Sequence, residues 1–369
     1  MRIGILVTSM GNFGQKGFYN AQEIGLARAM DDLADAVKVY KLVPLEDTAR
    51  TEPIEGCRNA VITFIPAKGF GINGILDTAV LDTNLDALVY FSDTQFSLPR
   101  VYRWTRENGV RFLPYIGVLE SHSTSRVKKL IVDTLFGRNL RIYRKCRCLV
   151  KTPTVGEALR ARGVKEVTVT PVGLDLSLMH RDYADSDPAV LKEKYGFDRN
   201  DRVILFIGRM IQEKQPLRMI DIFAELAAAD ADCRLLMVGT GELREAVCEA
   251  VKKYGLEDRV KLVDRIPNSQ IWELYRLSDA FVNLNQQEIF GMAILEAMYY
   301  GCKVVAWHAP GPDLILESGV SGWLVDSNAQ AVRKILDPAD MSQASHQRIT
   351  ANFTWRNTAL RMLEAAREN

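Results

Sequence analysis

The stretch Asn285-Gln286-Gln287-Glu288-Ile289-Phe290-Gly291-Met292-Ala293-Ile294-Leu295-Glu296-Ala297-Met298 follows a β-branched run at 280–284 and changes character at Gly291. The run reads as a buried parallel strand, the polar residues as a loop at its carboxyl end, and the segment from Gly291 to about Tyr300 as a helix. A helix opening there turns its free N–H groups and the positive end of its dipole outward, which suits an anion. Gly291 carries no Cβ to hold a phosphate away. Glu288 stands just before the helix and Glu296 lies inside it. Eight residues at helical rise span about 12 Å, enough to reach both ends of a sugar nucleotide with its diphosphate between. A lone pair of glutamates at this spacing would serve equally as a capping acid and a surface residue.

Outward from this stretch, strands and helices alternate to both ends of the chain. Buried strands are expected at 2–8, 59–64, 86–90, 111–116, 147–151 and 166–169, then at 202–207, 233–238, 259–263, 280–284 and 303–306. Segments with helical spacing separate them, such as Leu26, Ala29, Met30 and Leu33. The alternation implies right-handed βαβ units and doubly wound α/β sheets. So many strands exceed one sheet of single-domain proportions, so two Rossmann-like domains are expected, with the seam near 172–200. Ligands of such domains bind at the carboxyl ends of the strands.

Composition sets outer limits. The 369 residues are 47% hydrophobic and 25% charged, and the net charge of +1 gives no field that would favour nucleic acid. No apolar run reaches the roughly 18 residues of a membrane-spanning helix. Arg2 followed by Ile3-Gly4-Ile5-Leu6-Val7 reads as a first strand and not as a signal peptide. Six cysteines lack paired spacing, which points to a reducing cytoplasm; Cys146 and Cys148 read as idle thiols. Asp185/Asp187 and Asp230/Asp232 read as solvated turns, and no metal site is expected.

A second cluster follows the strand at 202–207. Gly208 and Arg209 come directly after it, and Lys214 lies five residues beyond Arg209 in a loop that leads to a helix at Pro216. Two cations at a strand's carboxyl end suit a diphosphate leaving group, whose charge they would neutralise as a glycosidic bond breaks.

Gly208-Arg209…Glu213-Lys214, Glu288-x7-Glu296 and Gly301-Cys302-Lys303-Val304-Val305-Ala306 together resemble the retaining glycosyltransferase family 4, of GT-B fold. Gly311-Pro312-Asp313-Leu314-Ile315 and Gly319-x-x-Gly322-Trp323-Leu324-Val325 match its later pattern, and Val172-Gly173-Leu174-Asp175 its linker. The resemblance is close over the second half and loose over the first. It implies an acceptor domain at 1–175, a donor domain at 176–351 facing it across a central cleft, and a C-terminal helix, 352–369, crossing back to the first domain. It also implies transfer without a metal or cofactor from a UDP- or GDP-linked sugar to a glycan, glycolipid or lipid-linked acceptor, as in cell-surface polysaccharide or glycoconjugate synthesis. A nucleotide-sugar epimerase or phosphorylase of this fold is the alternative, and a non-catalytic two-lobed binding protein a more remote one.

Carried across, Arg209 and Lys214 would hold the diphosphate, Glu288 would orient the donor sugar, the Gly291 and Met292 amides would lie at the phosphate, and Gly208 and Phe290 would belong to the same donor site. Glu296 takes the ribose, and Ile266 lies by the base. Three residues depart from the family pattern: Asn285 in place of serine, Gln215 in place of glycine, and Asp264 in place of glycine. They bear on base and sugar specificity and leave the phosphate logic intact.

In the first half, Gly17 is the best match for the family's glycine loop against the donor. His122 is a candidate catalytic residue near the donor sugar, or a loop histidine; His308 is a weaker cleft candidate. Asp93 is an acceptor-side carboxylate or a turn former. Residues 126–151 hold nine Lys/Arg against Asp133 alone, a local charge of +8. Val127, Leu130, Ile131 and Leu135 are expected on one core stripe of a helix, with Arg126, Lys128 and Lys129 beside it. Such a face suits a phosphorylated acceptor or an anionic membrane surface, with peripheral attachment at its cytoplasmic side, or plain solvation.

Overall fold

Runs of buried β-branched and leucine residues build two separate parallel sheets in the computed structural model, which describes residues 1–10, 21–70, 73–92, 95–119 and 126–368. The chain divides into two compact units, Met1–Asp175 with Thr354–Asn369, and Leu176–Phe353.

The first unit contains β1 (Arg2–Val7), β2 (Ala36–Val43), β3 (Arg50–Pro53), β4 (Ala60–Pro66), β5 (Gly69–Phe70), β6 (Asn73–Gly74), β7 (Ala87–Phe91), β8 (Arg111–Ile116), β9 (Cys148–Val150) and β10 (Val167–Val169). Its sheet runs β10-β9-β8-β7-β1-β2-β4-β3, parallel except for β3, which pairs antiparallel with β4 at the edge. The helices are α1 (Gln22–Met30), α2 (Leu98–Glu107), α3 (Arg126–Tyr143), α4 (Pro153–Ala161) and, from the end of the chain, α13 (Trp355–Arg367). Trp355 is almost wholly buried, and its amide donates to the Leu174 carbonyl at 3.1 Å, which ties the start of α13 to the end of the unit's first segment.

The second unit contains β11 (Arg202–Ile207), β12 (Cys233–Val238), β13 (Val260–Val263), β14 (Ala280–Asn283), β15 (Val304–Trp307) and β16 (Trp323–Val325). Between and after them come α5 (Pro188–Lys194), α6 (Pro216–Ala229), α7 (Arg244–Lys253), α8 (Ile271–Leu277), α9 (Met292–Tyr299), α10 (Pro310–Ile315), α11 (Asn328–Leu336) and α12 (Ser342–Asn352). All its strands are parallel in the order β13-β12-β11-β14-β15-β16. The first strand therefore lies beside the fourth, and the winding reverses between β11 and β14. At such a switch the loops after the two strands diverge and leave a crevice at their carboxyl ends.

Five of these strands, β2, β3, β5, β6 and β16, were absent from the sequence expectation. β2 alternates apolar residues with Lys38 and Lys41, which pair with Asp82 and Glu23, so no continuous apolar run betrays it. β16 is only three residues long. Of the stripe expected on α3, the side chains of Val127 and Ile131 lie outside the described residues, and Leu135 is half-buried. Leu130 is 69% exposed, and the buried face carries Phe136, Asn139 and Tyr143, spaced three and four apart. No helix among the described residues is long and apolar enough to cross a membrane.

Candidate active site

At the switch in the second unit, two loops meet through their side chains. β11 ends at Ile207, and Gly208 and Arg209 follow; Lys214 ends a short 3-10 turn, Gln212–Lys214, just before α6. β14 ends at Asn283, and its loop carries Asn285 and Glu288 before Gly291 caps α9. Lys214 Nζ donates to Glu288 Oε2 at 2.5 Å, joining loops 74 residues apart in sequence. The aliphatic stem of Lys214 lies near Gly208, where any side chain would be in contact with it. Neither member is fully buried, with side chains 27% and 15% exposed, so the pair lies where a ligand can reach it.

The β14 loop is rigidified by its own amides. The Asn285 amide donates to Asn283 Oδ1 and the Gln287 amide to Asn285 Oδ1, both at 3.0 Å. The Glu288 carbonyl accepts from the Gly311 amide of α10 at 2.9 Å. Asn283 Nδ2 and Asn285 Nδ2 donate to Glu288 Oε2 at 3.4 and 3.2 Å. Three donors thus converge on Oε2, and among the described residues none donates to Oε1, which can accept from a ligand hydroxyl.

Gly291 adopts φ +101°, a left-handed conformation that side chains rarely take, and an added Cβ would lie 2.9 Å from Ile294 Cδ1. This conformation turns the chain from loop into helix, with the Met292 and Ala293 amides in the first turn of α9, where helices leave donors without intrahelical partners. A second glycine draws the neighbouring loop close: Gly239, after β12, has φ +145°, and a Cβ there would stand 1.9 Å from the Gly208 carbonyl oxygen.

Glu296 is placed differently from the surface acid that its spacing alone allows. It is 7% exposed and accepts from the Tyr275 hydroxyl of α8 at 3.0 Å through Oε2. Burial raises its carboxyl to about 7, and the tyrosine hydrogen bond acts weakly the other way. Burial, together with the Glu296 carboxyl, also pushes the Tyr275 phenol well above its ordinary range, so it stays a donor.

The remaining candidates are scattered by comparison. Arg209 is exposed at the end of β11, and its side chain makes no hydrogen bond or ion pair among the described residues. Ile266 is half-buried beyond β13 on the same sheet edge. β13 stands three strand spacings from β14, roughly 14 Å. The Phe290 ring is buried, edge-on against Phe353 at 6.4 Å, so at this position the backbone is what the loop presents outward. His308 is exposed, and its Nδ1 lies 2.7 Å from Asp313 Oδ1. Gly17, Asp93 and His122 lie outside the described residues, as do the side chains of Arg126, Lys128 and Lys129.

Several cations of the 126–151 segment, whose local charge is +8, have partners within the unit. Arg138 donates to the Gln95 and Phe96 carbonyls, Arg144 to the Arg162 carbonyl, and Arg147 pairs with Glu166 and Glu368. These cations are spent inside the unit, on carbonyls and acids that the sequence spacing does not reveal. Two residues that belong to the cluster, Asn283 and Tyr275, were missed. Asn283 carried a signal, as a polar residue closing an otherwise apolar strand; Tyr275 carried none.

The whole chain has the GT-B fold. It superposes on sucrose-phosphate synthase from Thermosynechococcus elongatus with a TM-score of 0.74 at 18% identity, covering 99% of this chain and 98% of that one. Anabaena Alr3699/HepE, crystallised with UDP and glucose, gives a TM-score of 0.72 at 16% identity over 99% and 98% of the two chains. More particularly, residues 189–352, within the second unit, match the family model for glycosyl transferases group 1. The D-inositol 3-phosphate glycosyltransferase of Segniliparus rotundus is 30% identical over 167 residues, 44% of this chain and 36% of that protein. The chain spans about a third to a half of the length of the curated relatives it matches.

Proposed function

We propose that the protein is a retaining glycosyltransferase that binds a UDP- or GDP-linked sugar on its second unit and passes the sugar to a glycan or lipid-linked acceptor on its first. The observation that carries this reading is the Lys214–Glu288 pair at the switch between β11 and β14, beside the N-terminus of α9. A diphosphate arriving there meets the Lys214 ammonium, the exposed Arg209 and the first-turn amides of α9. Lys214, held by Glu288, and the α9 amides are fixed before the reaction, so they stabilise charge on the departing phosphate with little reorganisation. Glu288, held through Oε2, offers Oε1 to sugar hydroxyls and so fixes the ring while the bond to the diphosphate breaks. The acceptor hydroxyl attacks from the face that the phosphate leaves, and the phosphate takes its proton; Glu288 orients the sugar and forms no bond to it.

Support comes also from the UDP complex of the Anabaena structural neighbour and from the glycosyltransferase names of the relatives. The lipid side of the reading has one support. Leu130 and Arg141 are both exposed and lie eleven residues apart on α3, close to three full turns, so they share an outward face. Equal co-sedimentation with neutral and anionic vesicles would remove membrane contact from the account.

The decisive experiment follows release of nucleoside diphosphate from UDP-, GDP- and dTDP-sugars, with and without added acceptors. Slow donor hydrolysis that accelerates with one acceptor is expected, and Lys214→Ala should lower it about 10²–10³-fold with circular dichroism unchanged. Near-normal turnover in that variant, or donor binding without turnover under every acceptor, contradicts the reading.

A further inference from the structure

We infer that Tyr275 is a positioning residue for the donor ribose: it grips one oxygen of Glu296 from α8 and thereby directs the other toward the ribose hydroxyls. The inference rests on the donor-site reading above and adds a residue that neither the motif spacing nor the relatives assign.

Tyr275 is itself held on two sides. It is 1% exposed, its ring meets Phe281 edge-on at 5.8 Å and lies nearly parallel to Tyr300 at 6.1 Å. Tyr300 is fixed in turn, its hydroxyl accepting from the His180 amide at 3.1 Å. The phenol therefore has one orientation, and Glu296 Oε2 is its acceptor at 3.0 Å. Glu296 makes no other side-chain hydrogen bond among the described residues. Its two oxygens offer about four acceptor positions, of which the Tyr275 hydroxyl fills one; Oε1 is not among the fully enclosed polar atoms that lack a partner, so its spare capacity lies within reach of a ligand. A vicinal diol presenting two O–H donors to Oε1 fills it, which is the chemistry of a ribose.

The titratable groups that act on Glu296 are Tyr275 and Tyr300, and burial holds both phenols above their ordinary range. The Tyr275 bond favours the ionised carboxylate, the form that can only accept. Removing that hydroxyl therefore moves Glu296 ionisation to higher pH.

The test is calorimetric titration with UDP, GDP and their 2′-deoxy counterparts, on wild type, Tyr275→Phe, Glu296→Gln and the double variant. Tyr275→Phe keeps the ring and its packing. Wild type is expected to prefer the ribonucleotide roughly tenfold, the worth of one hydrogen bond to a charged group. Tyr275→Phe should reduce that preference to about two- to threefold, with 2′-deoxynucleotide binding unchanged. Ribonucleotide affinity in wild type should rise as pH passes through about 7, and this rise should move upward in Tyr275→Phe and vanish in Glu296→Gln. In the Glu296→Gln background, adding Tyr275→Phe should change affinity less than about twofold, since the two act as one unit. A Tyr275→Phe protein that retains the full ribose preference, or loses ribo and deoxy affinity equally, overturns the inference alone. A wild type that binds neither diphosphate overturns the donor-site reading and the inference with it. Should Tyr275→Phe not fold, the Glu296→Gln pH profile decides: persistence of the rise near 7 in that variant overturns the inference.

Discussion

Replacing Glu296 by glutamine should change how the stability of the second unit depends on pH. Burial holds the Glu296 carboxyl at about 7 in the folded protein, against an ordinary 4.5. Between these values the folded chain binds a proton that the unfolded chain has released. Stability contributed by this group is therefore fully present below about 4.5 and is lost as pH rises through about 7. A gap of about 2.5 in pKa corresponds to about 3 kcal/mol, and little screening applies to a side chain this buried. Glutamine has the same shape, still accepts from Tyr275 and does not titrate. The assay is urea unfolding followed by tryptophan fluorescence from pH 4.5 to 8.5, using the transition of the second unit, which holds Trp272, Trp307 and Trp323. The stability of wild type minus that of Glu296→Gln should fall by about 3 kcal/mol across this range, because other titrations cancel in the difference. A flat difference would refute the desolvated carboxyl. A rising one would mean that the Tyr275 hydrogen bond outweighs burial and keeps Glu296 ionised.

Two further outcomes test the local geometry. Gln215 adopts φ +56°, which a non-glycine residue takes at a cost of about 1 kcal/mol, so Gln215→Gly should stabilise the protein by up to about 0.5 kcal/mol net of glycine's larger folding entropy, as a shift in urea midpoint. Loss of stability there would show that the 3.4 Å bond from Arg218 to Gln215 matters more than the backbone. Gly239→Ala should cost more than about 3 kcal/mol and yield little folded protein, since its Cβ would be driven into the Gly208 carbonyl; a soluble variant with unchanged melting temperature would contradict the close approach.

The chemistry-bearing half of the fold was legible because its signals are local. The strand, polar loop and glycine-opened helix at 280–300 appear in one reading frame, and Lys214 stands the expected distance beyond its strand. What was not legible depended on contacts distant in sequence. The Lys214–Glu288 pair exists because topology sets β11 beside β14, and no spacing within either loop encodes it. Glu296 could be read as a surface acid until Tyr275, on the preceding helix, was seen to meet it in the interior. Leu130 on α3 looks like a core residue by chemistry and is exposed, while Phe136 and Tyr143 have the neighbours that bury them. β2 was hidden by lysines whose charges are answered by Asp82 and Glu23 from other parts of the unit.

The central claim is that the edge of the second sheet grips a nucleoside diphosphate through Lys214, Arg209 and the mouth of α9. Calorimetric titration of UDP and GDP against wild type and the Arg209→Ala/Lys214→Ala double variant tests it most directly. One of the two nucleotides should bind wild type, and the double variant should bind it at least about a hundredfold more weakly, two charge-assisted contacts at about 1.5 kcal/mol each. Equal affinity in both proteins would place the diphosphate elsewhere and contradict the account.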